Sequence, residues 1–365
     1  MRIAYDSEIF CLQKYGGISR YFARLLQELK DSPHDPHVFA PFHRNQYLKN
    51  LPNARICGGY FAKYPKKTTK LFFAANKFVS DRCIRRWNPH VVHETYYGSI
   101  GVTKKKSPVV VTVHDMIHEI MPECFLPSDP TSRQKQLSVK RADHVICVSE
   151  NTKKDLQHYY DIADDKISVI HHGHDSFSQS RRTVVSDSPE SEPFILYVGQ
   201  RSGYKNFKML ITALSMFPFL RNNVRLIAAG GGPFSSEEIA FIKKCKLHRV
   251  IQIEATDAQL SALYSEAVAL VYPSLYEGFG IPLLEAFAHA CPVIASRSSS
   301  IPEVVENAAA MFDPHSVEDL GNVLGGVIAS KELRESLVTR GLNRLESFSW
   351  KKCASETLAV YEKVI

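Results

Sequence analysis

Short apolar runs alternate with helical patterns along the whole chain. Runs at 2–5 (RIAY), 89–93 (PHVVH), 108–113 (PVVVTV), 144–148 (HVICV) and 167–171 (ISVIH) predict strands in the first half. Runs at 194–199 (FILYVG), 224–229 (VRLIAA), 249–253 (RVIQI), 268–273 (VALVYP) and 292–296 (PVIAS) predict them in the second. They are β-branched and do not alternate strictly, which suits parallel sheets buried on both faces. Helices are predicted between them. The clearest begins near Ile18, where Tyr21, Phe22, Leu25, Leu26 and Leu29 continue one apolar face. Repeated strand–helix order predicts an α/β protein with helices flanking parallel sheets.

The rhythm breaks at 176–192, SFSQSRRTVVSDSPESE, which is rich in Ser and charge and has little to bury. This predicts an N-terminal Rossmann-like domain over 1–176, a linker over 177–192 and a C-terminal Rossmann-like domain over 193–348. The tail 349–365, where a helical pattern follows Trp350, completes the chain. A length of 365 residues suits two domains better than one core. Two doubly wound domains facing a central cleft are expected to bind ligands beyond the carboxyl ends of their strands.

Composition narrows the class. At 44% hydrophobic and 23% charged the chain is an ordinary globular protein, and no run approaches a membrane span. MRIAYDSEIF reads as a first strand, not a signal peptide, and the eight cysteines are scattered without a C-x-x-C pair. A reducing, cytoplasmic setting is expected, with no zinc site. The net charge of +7 is uneven: residues 51–110 hold twelve Lys/Arg against Asp81 and Glu94. Such a patch suits anionic lipid, nucleic acid or phosphorylated acceptors, or is a solvated face.

Candidate chemistry sits in loops after strands. In YEGFGIPLLEA, Gly278 and Gly280 allow close backbone approach, and Pro282 suits a first helical position. Amides near Gly280 and Ile281 are then an anion site. Glu285 is expected in the first helical turn and Glu277 on the loop, beside a Phe279 that reads as exposed; carboxylates accept from vicinal sugar hydroxyls. Arg201 and Lys205, after strand 194–199, supply positive charge. Gly16 and Gly17 precede the first helix, a second candidate anion site. His114 and Asp115 end strand 108–113, where a neutral imidazole can meet a substrate hydroxyl and Asp115 can orient it or cap the next segment. His118 lies four residues on, with no third metal ligand evident. No P-loop, G-x-G-x-x-G or G-x-S-x-G motif occurs, and no two aspartates are separated by one residue.

Together these segments resemble the retaining GT-B glycosyltransferases of family 4, or group 1. YEGFGIPLLEA resembles the family's E-(seven residues)-E signature; KYGGISRYF its N-terminal glycine loop; TVHD its N-domain histidine segment; YVGQRSGYKN its phosphate-binding Arg and Lys; and FSW with the following helix the tail that crosses back onto the first domain, here 349–365. ADHVICVSENTKKDL and ISVIHHGHD resemble the stretches that close its first domain.

The resemblance implies a metal-independent hexosyltransferase without a cofactor, using a nucleotide-diphosphate sugar, with GDP-mannose as first choice. It implies that Arg201 and Lys205 bind the diphosphate, Glu285 the ribose and Glu277 the transferred sugar. Gly278, Phe279, Gly280 and Ile281 would line sugar or phosphate, Gly16 and Gly17 the phosphates, and His114 the reacting sugar. The four-position gap between Arg201 and Lys205 is shorter than in many members. The implied acceptor is a glycan or lipid-linked glycan, met at the cytoplasmic face of an anionic membrane through residues 51–110, with no nucleic-acid partner. An epimerase or phosphorylase in the same fold, or a non-catalytic nucleotide-sugar binder, are the alternatives; product analysis separates them.

Overall fold

The apolar runs pair side by side into two wholly parallel sheets. A computed structural model describes residues 1–51, 55–98, 101, 107–175, 193–201 and 203–365. The chain divides into one unit of Met1–Gly173 with Trp350–Ile365 and a second of His174–Ser349. The predicted linker, 177–192, lies outside the described residues.

The first unit holds β1 (Arg2–Tyr5), β2 (Asp35–His43), β3 (Ile56–Tyr60), β4 (Val91–Glu94), β5 (Val109–Val113), β6 (His144–Cys147) and β7 (Ile167–Val169). The second holds β8 (Phe194–Val198), β9 (Arg225–Ala229), β10 (Val250–Ile253), β11 (Ala269–Tyr272), β12 (Val293–Ser296) and β13 (Ala310–Phe312). Their orders are β3-β2-β1-β4-β5-β6-β7 and β10-β9-β8-β11-β12-β13. Each sheet therefore grows outward in both directions from one central pair, β1/β4 and β8/β11. Loops leaving such a pair depart toward opposite faces and open a crevice at the strands' carboxyl ends.

Three strands escape the sequence pattern: β2, β3 and β13. Strand β2 (DPHVFAPFH) carries two prolines inside a sheet, where each removes a ladder donor. Its register with β3 shifts between Phe39 and Phe42, which accommodates Pro41. Strand β3 (ICGGY) reads as a turn, yet a Cβ on Gly58 would lie 1.9 Å from the Ala40 carbonyl oxygen, so the pairing needs that glycine.

The helix Gly17–Leu29 buries Tyr21, Phe22, Leu25, Leu26 and Leu29 against β1. The tail helix Trp350–Val364 enters the same core through Trp350, Cys353, Ala354, Val360 and Tyr361. It is also fastened by hydrogen bonds. The Tyr361 hydroxyl lies 2.6 Å from His93 Nδ1 and 3.2 Å from the Tyr5 hydroxyl, and His93 Nε2 lies 2.8 Å from Thr112 Oγ1. Burial pushes the His93 pKa down to about 3, and a neutral ring donates through one nitrogen and accepts through the other.

Tyr361→Phe keeps the packing and leaves a His93 nitrogen without a partner in a dry site. A buried unsatisfied group costs about 1–3 kcal/mol. Urea unfolding followed by Trp350 fluorescence is expected to show that loss, while Lys363→Ala on the same helix shows little.

Candidate functional site

At the β8/β11 crossing of the second unit, two predicted residues meet. Lys205 ends the 3-10 turn Gly203–Lys205 after β8, and Glu277 lies on the loop after β11. Lys205 Nζ is 2.7 Å from Glu277 Oε1, with side chains only 18% and 11% exposed. The Leu275 N–H donates to the Tyr204 carbonyl at 2.7 Å, so the two loops are joined through the backbone as well. The ammonium also lies 5.0 Å from the Tyr204 ring centre and 5.9 Å from that of Tyr272.

A run of serines starting at the end of β12 holds this loop, and it escaped the sequence reading. Ser296 Oγ donates to the Ser274 carbonyl at 2.5 Å, and Ser298 Oγ to the Leu275 carbonyl. The Glu277 N–H donates to Ser299 Oγ at 2.8 Å; Ser300 Oγ donates to the Glu277 carbonyl at 2.9 Å and the Phe279 carbonyl at 3.3 Å. The available signal was SRSSS, with Ser296 ending a predicted strand and three serines directly after it.

The loop ends at Gly280, with φ at +103°, and the helix Ile281–Ala288 follows with Pro282 in its first turn. A Cβ on Gly280 would also meet Leu283 Cδ1 at 2.8 Å. The Gly280 and Ile281 N–H groups make no hydrogen bond among the described residues, and such amides at a helix start attract anions. Gly278 is buried beside them.

Two expectations need correction here. Phe279 is not exposed: it is buried, edge-on to Phe348 at 5.7 Å between ring centres. An aromatic ring inside a turn has no solvent side once the segment between the helix Lys331–Leu345 and the tail helix packs on it. Glu285 is not in the first helical turn but in the second, since the helix starts at Ile281. It is held by side chains instead. The Tyr264 hydroxyl donates to Glu285 Oε2 at 3.0 Å, and the Tyr264 ring stacks on His289 at 5.5 Å. His289 Nδ1 lies 2.7 Å from the Glu285 carbonyl and His289 Nε2 lies 2.5 Å from Ser261 Oγ.

Arg201 also has protein partners here. Its guanidinium is buried and its donors are engaged. Nε donates to Glu238 Oε1 at 2.7 Å, Nη1 to the Gly230 carbonyl at 2.7 Å, and Nη2 to the Gly232 and Pro233 carbonyls at 2.9 and 3.1 Å. It braces the GGG loop after β9; a Cβ on Gly231, at φ +75°, would lie 2.7 Å from Nη1. Burial raises the Glu238 carboxyl pKa, but its bonds to Arg201 and the Ser235 amide hold it below the ordinary value. The structure thus joins Lys205 to Glu277, with Gly278, Phe279 and Gly280 following on the same loop and Ile281 and Glu285 on the helix after it, while Arg201 braces the GGG loop.

In the first unit, Gly16 precedes the helix at Gly17. The Gln13 side chain fills part of that helix start: its Oε1 accepts from the Ser19 N–H at 3.1 Å, leaving the Gly17 and Ile18 amides. His114 follows β5, 8% exposed, its backbone N–H donating to the Tyr97 hydroxyl at 3.1 Å. Its ring stacks on His172 at 6.0 Å and meets Tyr21 edge-on at 5.5 Å, and its Nε2 has no partner among the described residues. Burial, then the nearby His93 and Lys135, push its pKa down to about 3. Asp115 caps the next turn, accepting from the Ile117 N–H at 3.1 Å. The fully buried Lys135, also unforeseen, donates to the Asp115 carbonyl at 2.8 Å and to Glu119 at 2.7 Å. His118 stacks on Phe125 at 3.7 Å.

Two family models match the chain: "Glycosyltransferase Family 4" over residues 15–176 and "Glycosyl transferases group 1" over residues 179–344. The O-antigen chain mannosyltransferase RfbU of Salmonella typhimurium is 31% identical over 302 residues, covering 82% of this chain and 83% of that one. The serotype-specific mannosyltransferase WbdA of Escherichia coli is 27% identical over 289 residues, covering 74% of this chain but only 35% of that longer one. Among solved structures, Anabaena HepE with UDP and glucose shares the fold at TM-score 0.75 and 18% identity, covering 100% of both chains.

Two outcomes are expected. With a pKa near 3, His114 stays neutral from pH 8 down to pH 5, because burial disfavours its cation; ring-nitrogen NMR should show no titration in that window. Gly280→Ala forces an alanine into left-handed backbone against Leu283, and thermal unfolding should register a loss of about 1–3 kcal/mol.

Proposed function

The chain belongs to the family 4, or group 1, glycosyltransferases with the GT-B fold, and from that premise we propose that it moves a hexose, mannose as first choice, from a nucleotide diphosphate to a glycan or lipid-linked glycan, with retention at the anomeric carbon and without a metal ion or cofactor. The observation that carries this reading is the pairing of Lys205 with Glu277 beside the unbonded amides of Gly280 and Ile281. A nucleotide sugar presents one anionic diphosphate next to two polyhydroxyl rings. Lys205 and the two amides suit the diphosphate; Glu277 and Glu285 suit hydroxyls, which carboxylates accept strongly.

In the proposed reaction the bond between the anomeric carbon and the phosphate oxygen breaks, and its electron pair leaves with the diphosphate. Fixed positive groups that meet this charge lower the barrier, and one such donor is worth about 3 kcal/mol. The acceptor oxygen bonds to the same face of the carbon, and its proton passes to the departing phosphate. Glu277 biases the positive character at the reacting carbon without forming a bond to it. His114, neutral with a buried unpartnered nitrogen, suits a sugar hydroxyl, which can donate to that nitrogen or accept from it. Arg201 acts here through the GGG loop it braces. The donor and acceptor assignments draw support from RfbU and WbdA, both mannosyltransferases by name.

Lys205→Ala and Glu285→Ala are expected to keep the circular dichroism spectrum and to lose about 10²–10³-fold in kcat/KM. Thermal shift with a panel of nucleotide sugars identifies the donor, and NMR of the product anomer tests retention. Unchanged kinetics for both variants sink the site; an inverted product sinks retention alone.

A further inference from the structure

The helix Thr131–Arg141 turns polar side chains inward where a sheet-flanking helix ordinarily turns apolar ones. Lys135, Ser138 and Arg141 follow one another at spacings of three, so each neighbours the next along the helix. Lys135 and Ser138 are fully buried. All three reach loops that leave the carboxyl ends of β4 and β5. Arg141 donates to both Glu94 carboxylate oxygens, at 3.1 and 2.5 Å, and to the Gly98 carbonyl at 2.7 Å. Ser138 Oγ accepts from the Gly98 N–H at 3.1 Å. These two side chains hold the loop after β4.

Lys135 holds the loop after β5, through the Asp115 carbonyl at 2.8 Å and the Glu119 carboxylate at 2.7 Å. It also backs the first loop, since its Nζ lies 5.4 Å from the Tyr97 ring centre. The Tyr97 hydroxyl in turn accepts from the His114 N–H at 3.1 Å. His114 is therefore held on two sides: by Tyr97 at its own N–H, and by Lys135 at the carbonyl of the next residue. One ammonium touches both holds. Glu119 offsets the buried charge, and the Tyr160 hydroxyl fixes its other oxygen at 2.7 Å. A buried ion pair adds little to stability over apolar packing of the same volume, so packing alone gives this helix no need of a lysine.

We propose that Lys135 is a positioning residue: by locking the chain at Asp115 and backing Tyr97, it fixes where the His114 ring stands. Burial, then His93 and the Lys135 charge, disfavour a cation on that ring, whose other ring neighbours are Tyr21, Phe22 and His172. The consequence for turnover rests on the role proposed above for His114; the placement of the ring does not.

The test removes the pair together, because Lys135→Met alone would strand the Glu119 carboxylate in a dry site. Lys135→Met with Glu119→Gln keeps the volume and leaves neither charge. The full chain carrying both changes is expected to fold, as read by circular dichroism. Per folded molecule, kcat should fall on the order of tenfold to a hundredfold, while KM for the nucleotide sugar changes by less than about twofold. Ring-nitrogen NMR should show the His114 signals displaced and those of His93, bonded to Tyr361 and Thr112, in place. A merely structural lysine would lower the yield of folded protein and spare both readings. Lys135→Gln with Glu119→Gln, which restores a donor toward Asp115, should recover part of the lost kcat. Failure of both double variants to fold overturns the inference, because the pair then serves the fold and not the ring. Unmoved His114 signals in a folded double variant overturn it too, as does unchanged kcat where His114→Ala itself lowers it. Unchanged kcat in His114→Ala sinks instead the role proposed above for His114, and the NMR signals then decide the placement alone.

Discussion

Lys205 and Glu277 meet because a parallel sheet that grows outward from β8 and β11 must open a gap between the two loops that leave them. Everything else in the second unit's site serves that meeting. The pair is 2.7 Å apart and largely shielded from water, so each charge would be costly to hold alone and the partner offsets it. The backbone bond from Leu275 to Tyr204 and the serines after β12 then fix the loop against sliding. A loop held from two neighbouring strands loses little further freedom when a ligand arrives, which is the condition for electrostatic stabilisation without reorganisation.

The two units carry opposite chemistry. The second unit's crevice is ionic, with ammonium, carboxylates and unbonded amides. The first unit's corresponding edge gathers neutral groups, His114 and His93 both with pKa near 3, hydroxyls of Tyr21, Tyr97 and Thr112, and the His172 ring, with the buried Lys135–Glu119 pair behind them. Buried imidazoles kept neutral can exchange hydrogen bonds with hydroxyls in either sense, whereas a cation could only donate. The tail helix contributes to this through Tyr361, which bonds His93, while Trp350 lies beside Tyr21 and His172. The last sixteen residues thus support the neutral site as well as the core.

How much could be read from the chain depends on what the residues do locally. Ten strands were visible because fully buried parallel strands are continuous β-branched runs, and the helix at Gly17–Leu29 because its stripe is strict. Strands β2 and β3 were hidden by residues that ordinarily break strands, Pro36, Pro41, Gly58 and Gly59; a register shift accommodates Pro41 and a close approach requires Gly58, and only the assembled sheet reveals either. Lys205, Glu277 and the Gly280 turn were legible because strand ends and glycines mark loops. Arg201 and Lys205 look alike in sequence, two cations four residues apart, while in the fold one side chain turns to the GGG loop and the other to Glu277. The serine clamps, Tyr264 and His289 were invisible for a simpler reason: their roles are long-range hydrogen bonds, and neither composition nor spacing encodes a partner twenty residues away.

The same distinction explains the helix Thr69–Trp87. In sequence its phenylalanines, at 72, 73 and 78, blur into one hydrophobic impression with no clean period. In the fold they separate. Phe72 belongs to the inner cluster with Phe42 and Tyr64, and Phe78 points away from it on the side shared with Leu71. Burying Phe78 against its own sheet would need a rotation of the helix that pulls Asn76 off β2 and exposes Ile84. The inner face is fixed by both a hydrogen bond and packing, so among the described residues the outer stripe stays exposed.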